Sequence, residues 1–142
     1  MSARFSEATP GRIFVGRLEA GDDLVDEIER FCGEKKVSAA WVSAIGAVNH
    51  AAFAYYQQEE RKYLELASDE HHEIIGFVGN ISMRDDAPFL HAHATFGSVS
   101  GAAVGGHLLH GCLVFVAEIT IREMTGVELI RTPDEVSGLS LW

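Results

Sequence analysis

Residues 88–96 read PFLHAHATF, a pattern that is typical of a β-strand. Side chains on a strand alternate between its two faces, so residues i and i+2 point the same way. His91, His93 and Thr95 therefore share one face, whereas the other face is apolar and carries Leu90, Ala92, Ala94 and Phe96. The stretch predicts a strand with an apolar side and a pair of imidazoles opposite to it.

A third histidine follows a Gly-rich connection, in Gly105-Gly106-His107. Two glycines let the backbone pass close to a site or turn sharply. Two imidazoles from one strand face and a third from a neighbouring segment form an open three-nitrogen metal site. We therefore expect His91, His93 and His107 to bind one metal ion, either zinc or another late first-row divalent metal. A fourth position on the ion stays available to water or an anion.

The pattern leaves open whether such a metal is catalytic. Water on an ion of this kind is acidified and can act as a nucleophile. Hydrolysis also needs a general base, and the sequence offers two candidates for a catalytic role, Glu73 and Glu118, both on predicted strands. Each carboxylate fits two other roles equally well, since it can hold an imidazole in position or act as a buried structural acid.

The remaining sequence predicts one helix and several further strands. Within residues 22–35 apolar side chains recur at helical spacing, with acids at the N-terminal end and lysines just past the C-terminal end. The other predicted strands are 11–18, 39–47, 48–56, 61–66, 71–83, 111–122 and 126–130. One amphipathic helix against a mostly antiparallel sheet is an α+β fold. We expect a single domain over 11–130, a flexible N-terminal tail over 1–10 and a C-terminal tail over 131–142.

Composition narrows the classes of function. The chain has 11 basic and 21 acidic residues, a formal charge of -10. Direct DNA binding is disfavoured, because phosphate contacts from a basic patch supply most of the affinity of DNA-binding proteins.

No apolar run is long enough to cross a bilayer and the N-terminus lacks a secretory pattern, so we expect a cytoplasmic protein without membrane contact. Cys32 and Cys112 are predicted to be buried, inert thiols.

An ordered series of motifs resembles the plant-and-prokaryote-conserved (PPC) domain family. The resemblance covers roughly residues 11–130. It begins with a first strand led by an arginine, which runs into the first of the motifs. The members of the series are LEAGDDL (18–24), VSAIGA (42–47), IGFVGNIS (75–82), HAH (91–93), GGHL (105–108) and AEITI (117–121). Each motif alone is weak, whereas the series in this order is specific to the family.

The resemblance implies a curved antiparallel sheet with a packed helix, assembled as a homotrimer. In prokaryotic members, the His-x-His pair and the histidine after Gly-Gly hold a metal ion that is usually taken as zinc. Those positions are His91, His93 and His107 here. The family also implies that the site lies near a subunit boundary.

Plant members join the domain to an AT-hook, a basic Arg-Gly-Arg element that enters the minor groove of DNA. These 142 residues contain no such element, since Gly11-Arg12 and Gly16-Arg17 lie within an apolar strand. Three functions remain open. The first is a trimeric protein that binds a zinc-like ion. The others are a metal-dependent hydrolase, lyase or isomerase acting on a small anionic ligand, and a DNA-binding or transcription-associated regulatory module.

Overall fold

The structure, a computed structural model, describes residues 3–142. Over these residues it contains one helix, α1 (Leu24–Lys35), and nine strands. The strands are β1 (Thr9–Leu18), β2 (Ala40–Gln57), β3 (Lys62–Ser68), β4 (His72–Arg84), β5 (Ala87–Gly97), β6 (Ala103–Leu108), β7 (Leu113–Thr125), β8 (Thr132–Pro133) and β9 (Ser140–Leu141). The first two residues of the predicted N-terminal tail, 1–10, lie outside the described part, and β1 already begins at Thr9.

Seven strands form one antiparallel sheet in the order β1-β7-β2-β4-β5-β6, with β3 paired to β2. Strand β2 is 18 residues long, and its far end also pairs with β6. The sheet therefore curves until β6 meets β2 again. The predicted α+β class, with one helix and a mostly antiparallel sheet, is confirmed.

Strand register shows which side chains share the outer face of this sheet. Directly paired residues on neighbouring strands point to the same face. One row crosses six strands in continuous pairing, through Val15, Thr120, Ser43, Val78, His93 and His107. A parallel row runs through Ile13, Arg122, Trp41, Asn80 and His91. All three histidines of the predicted site therefore stand on one face.

The opposite face of the sheet forms the core with α1. The helix buries Leu24, Val25, Ile28 and Cys32 of its apolar stripe. The predicted apolar face of β5, which is Leu90, Ala92, Ala94 and Phe96, is buried as well. Asp23 caps the helix, since its side chain accepts hydrogen bonds from the amides of Val25 and Asp26. The amide of Leu90 donates to Glu29 of α1 at 2.8 Å, which ties the helix to the strand next to His91.

Three predictions of secondary structure were wrong. Residues 39–47 and 48–56 belong to one strand, because a bulge at Gly46 bends β2 without ending it. The Gly-rich connection before His107 is a strand, β6. The predicted strand 126–130 forms only a single bridge between Ile130 and Met83.

Residues 131–142, here called the C-terminal segment, pack against the sheet and form the β8–β9 pair. The backbone of Arg131 donates to the carbonyl of Met83 at 2.8 Å. The Tyr56 hydroxyl, in turn, donates to the carbonyl of Ser137 at 2.7 Å. The segment predicted as a C-terminal tail therefore has fixed contacts with two strands.

Candidate metal centre

The three histidines singled out by the sequence lie together. The ring centroids of His91 and His93 are 5.3 Å apart, and those of His91 and His107 are 5.1 Å apart. The third separation, between His93 and His107, is 5.7 Å. One nitrogen of each ring lies within 4.8 Å of the others. Three imidazoles at this spacing converge as ligands of a single divalent ion do.

Close backbone contacts fix the position of His107. A Cβ on Gly105 would lie 2.2 Å from the carbonyl oxygen of Ala94, and a Cβ on Gly106 would lie 2.4 Å from that of Ala54. Both distances are far inside van der Waals contact. Only glycine lets β6 fit between β5 and β2, and this fit places His107 directly opposite His93. The close approach predicted from the two glycines is thus present.

The surroundings of the rings favour neutral imidazoles. Burial lowers the pKa of His91 to about 4, and the positive charge of Arg131 adds to this effect. Burial likewise lowers the pKa of His107 to about 4, with His91 contributing. The Nδ1 atom of His107 is buried and has no hydrogen-bond partner in the described part of the chain. Neutral imidazoles with a free lone pair are the form that binds metal ions, so this donor set fits the expected ion.

A cavity of about 200 Å³ borders two of the three rings. Its walls come from strands β3–β6 and the C-terminal segment, and they include Tyr63, Arg84, Phe89, His91, His107 and Arg131. The ring of Tyr63 packs on the His107 ring with centroids 4.8 Å apart. Arg131 was not predicted as a site residue, because no periodic pattern marks the segment that carries it.

The two carboxylates proposed as catalytic groups lie elsewhere. Glu73 pairs with Gly97, four residues and so about 13 Å along β5 from His93. Glu118 pairs with Ile45, and both glutamates line a separate cleft. The structure therefore does not bring Glu73 or Glu118 to the histidines, since register places them at the other end of the sheet.

The remaining histidines have other contacts. His110 Nδ1 lies 2.5 Å from Asp26 Oδ1, beside Asp23, and the three residues make a second group with metal-ligand spacing. The oxygens of Asp23, however, already accept hydrogen bonds from three backbone amides. His50 pairs with Asp69 instead. His110 is thus not a fourth member of the His91 group.

Both cysteines are free and buried, as predicted. Burial raises the pKa of Cys32 to about 12 and that of Cys112 to about 11. Since the thiolate is the reactive form and the metal ligand, neither side chain is a nucleophile or ligand near neutral pH.

The curved antiparallel sheet, its packed helix and the three histidines on the outer face define a class of small domain proteins. Residues 5–125 match the family model of the Plants and Prokaryotes Conserved (PCC) domain. The chain belongs to this family, which is the PPC family indicated by its motifs.

Solved structures share the complete fold. The metal-containing protein AF0104 from Archaeoglobus fulgidus is 40% identical, with a TM-score of 0.94 and 99% of each chain covered. A plant- and prokaryote-conserved (PPC) protein from Pyrococcus horikoshii is 32% identical, with a TM-score of 0.93, and the match covers 99% of this chain and 96% of that one. A Bacteroides thetaiotaomicron structure named "putative DNA binding protein" is 23% identical, with a TM-score of 0.84 and coverage of 94% and 95%, and it shows the fold alone.

A further relative is much longer. The bifunctional protein GlmU of a Synechococcus strain is 33% identical over 129 residues, which is 89% of this chain and 20% of the relative. The chain thus spans about a fifth of the length of this relative. Within residues 3–142, the structure contains no helix that is both long and apolar enough to cross a membrane.

Proposed function

We propose that this PPC-domain protein binds one zinc-like divalent ion per subunit through His91, His93 and His107. The observation that carries the proposal is the convergence of three imidazoles from two paired strands. The description of the 40%-identical Archaeoglobus fulgidus protein as metal-containing supports it. An ion held by three protein ligands supplies Lewis acidity at its remaining coordination position. The chain itself contributes the three ring nitrogens and the Tyr63 ring that packs on His107.

Metal content tests this proposal. Purified wild-type protein is expected to carry about one equivalent of zinc or a similar metal per subunit, measured by inductively coupled plasma mass spectrometry. The His91→Ala/His93→Ala variant leaves one imidazole and is expected to carry less than about a tenth of that, because each missing ligand weakens binding by orders of magnitude. His110→Ala is the matched control, since it removes a histidine outside the group, and it should retain full metal content. Equal metal in all three proteins would contradict the site.

The proposed assembly is a homotrimer with the histidines near a subunit boundary. Several apolar side chains on the histidine face are exposed: Ile13 by 69%, Val15 by 81%, Trp41 by 46% and Val78 by 54%. Val78 pairs directly with His93, so the apolar surface reaches the candidate metal centre. Several exposed apolar side chains on one face of a sheet are typical of subunit interfaces.

The trimer is tested by light scattering after size exclusion. Wild-type protein is expected at three times the 15.5 kDa chain mass. Val15→Lys places a charge in the apolar surface and is expected to dissociate the assembly. Val99→Lys makes the same change in an exposed turn outside the sheet and should leave the mass unchanged. A monomeric wild type, or a trimer in all three proteins, would contradict this interface.

One observation favours metal-dependent chemistry on a small anion, the second candidate function. The cavity reaches His91 and His107, so a ligand inside it lies next to the proposed ion. No carboxylate lines the cavity in the described residues, and a hydrolase, lyase or isomerase here would use another acid–base group. Tyr63 also lines the cavity, and because burial raises its pKa, its hydroxyl stays protonated near neutral pH. The DNA-binding alternative gains no comparable support, given the charge of -10.

A further inference from the structure

A buried guanidinium stands at the wall of the histidine cavity. Arg131 is only 8% exposed. Its Nε donates to the Ser82 hydroxyl at 2.7 Å and its Nη1 to the Ser140 carbonyl at 2.8 Å. Its Nη2 lies 3.3 Å from both Asn80 Oδ1 and His91 Nδ1, at or beyond the long end of normal hydrogen bonds. All of these partners are neutral acceptors.

A second guanidinium faces the same cavity. The Arg84 guanidinium carbon lies 3.8 Å from the centre of the Phe89 ring, and that of Arg131 lies 5.1 Å from it. Stacking on an aromatic face restrains an arginine while leaving its edge N–H groups available. Phe89 therefore holds two positive charges close together on the cavity wall.

Neither arginine has a carboxylate partner. Arg12, Arg17, Arg30 and Lys62 all form ion pairs with glutamates, whereas within residues 3–142 Arg84 and Arg131 form none. Five other basic residues in this part of the chain, all of them exposed, also form no ion pair, so the distinctive feature is the burial of Arg131. Burying a charge without a counter-ion is costly, so the buried, unpaired guanidinium of Arg131, with that of Arg84 beside the same cavity, indicates that an anion completes the site.

We infer that this cavity is an oxyanion-binding site, in which Arg131 and Arg84 hold the carboxylate or phosphate group of a small ligand. The planar fork of a guanidinium matches the two oxygens of either group. A volume of about 200 Å³ lies below the usual range for drug-sized ligands, which restricts the ligand to a small molecule. The inference deepens the proposed function, since His91 and His107 line the same cavity and the ligand would lie beside the proposed ion.

Calorimetry with inorganic phosphate and with malonate tests the site and separates the two oxyanion sources. Zinc-loaded wild-type protein is expected to bind at least one of these probes. Arg131→Gln should weaken binding by about 10- to 100-fold, because a charged hydrogen-bond donor is lost. Arg84→Gln should weaken it by at least about 5-fold, a smaller effect since this side chain is exposed. Arg17→Gln is the control, because Arg17 is exposed on β1 and does not line the cavity.

The outcomes distinguish this inference from the metal proposal. If the Arg84→Gln variant binds the phosphate or malonate probe more weakly than wild type at unchanged metal content, the oxyanion site is supported. Because Arg84 is exposed, we expect this variant to fold. Binding of a probe by metal-free protein that is lost in Arg84→Gln also supports the oxyanion site, even where the metal proposal has failed. Equal affinity of Arg84→Gln, Arg131→Gln and wild type would overturn it. So would the absence of binding of both probes at millimolar concentration by zinc-loaded wild type.

Discussion

Replacement of Gly106 by alanine is expected to destabilise the protein by more than about 3 kcal/mol and to abolish metal binding together with it. The added Cβ would lie 2.4 Å from the carbonyl oxygen of Ala54. The clashing atom belongs to the backbone of β2, so no side-chain rotation relieves the contact. Strand β6 must move away from β2, and His107, the next residue, moves with it.

Urea unfolding and metal content measure the two effects of Gly106→Ala. The control is Gly76→Ala in β4, where a Cβ would meet only Thr95 at an ordinary 3.8 Å. A cost below about 1 kcal/mol is expected there, since glycine has no steric role at that position. If both variants unfold at the same urea concentration as wild type and keep their metal, the close approach of β6 to β2 does not position His107.

Acid is expected to destabilise the metal-free protein between about pH 6.5 and pH 4. The pKa of His91 and of His107 is about 4 in the folded chain, against a usual value of 6.5. On acidification the unfolded chain therefore takes up these protons first, and stability falls as the pH drops from 6.5 to 4. Because the rings are only half-buried, we expect each histidine to lower the free energy of unfolding by about 2 kcal/mol over this pH range.

The same pKa values predict that in mild acid protons do not compete with a metal ion at two of its three proposed ligands. At pH 5 His91 and His107 are still neutral, so protons do not yet compete for their lone pairs. Below pH 4 the affinity is expected to fall about 10-fold per pH unit for each ring. The absorbance of cobalt-loaded protein follows this release, and urea unfolding follows stability, with His110→Ala as a control that removes an exposed histidine. A fall in affinity that is already about 100-fold per pH unit between pH 6.5 and pH 4 would contradict the low pKa of both rings.

Local sequence patterns predicted those parts of the candidate site that lie within a single secondary-structure element. The alternation in β5 placed His91 and His93 on one face and the buried residues on the other, because a strand has a strict period of two. Strand β6 was not predicted, since Gly105 and Gly106 carry no side chains from which a period could be detected. The glycines still indicated a close approach, which the Ala94 and Ala54 carbonyls explain.

Other features depend on tertiary contacts that no local pattern encodes. Arg131 follows an irregular segment, and its partners Ser82 and Asn80 are about 50 residues away in the sequence. Glu73 and Glu118 are on strands as expected, yet strand register decides which end of the sheet they occupy. By contrast, helix α1 ends at Lys35, the last residue of the predicted range 22–35, and Lys36 follows it in the left-handed conformation.

The pairing of His93 with His107 has a consequence for the exchange of metal ions at the proposed centre. Ligands on flexible loops lose conformational entropy when an ion orders them. The three imidazoles here stand on hydrogen-bonded strands, so the backbone that carries them has already lost this entropy when the chain folds. The proposed centre is therefore preorganised. At the proposed centre, exchange of one ion for another would then require no rearrangement of the backbone, and the identity of the bound metal would follow its supply as much as its geometry.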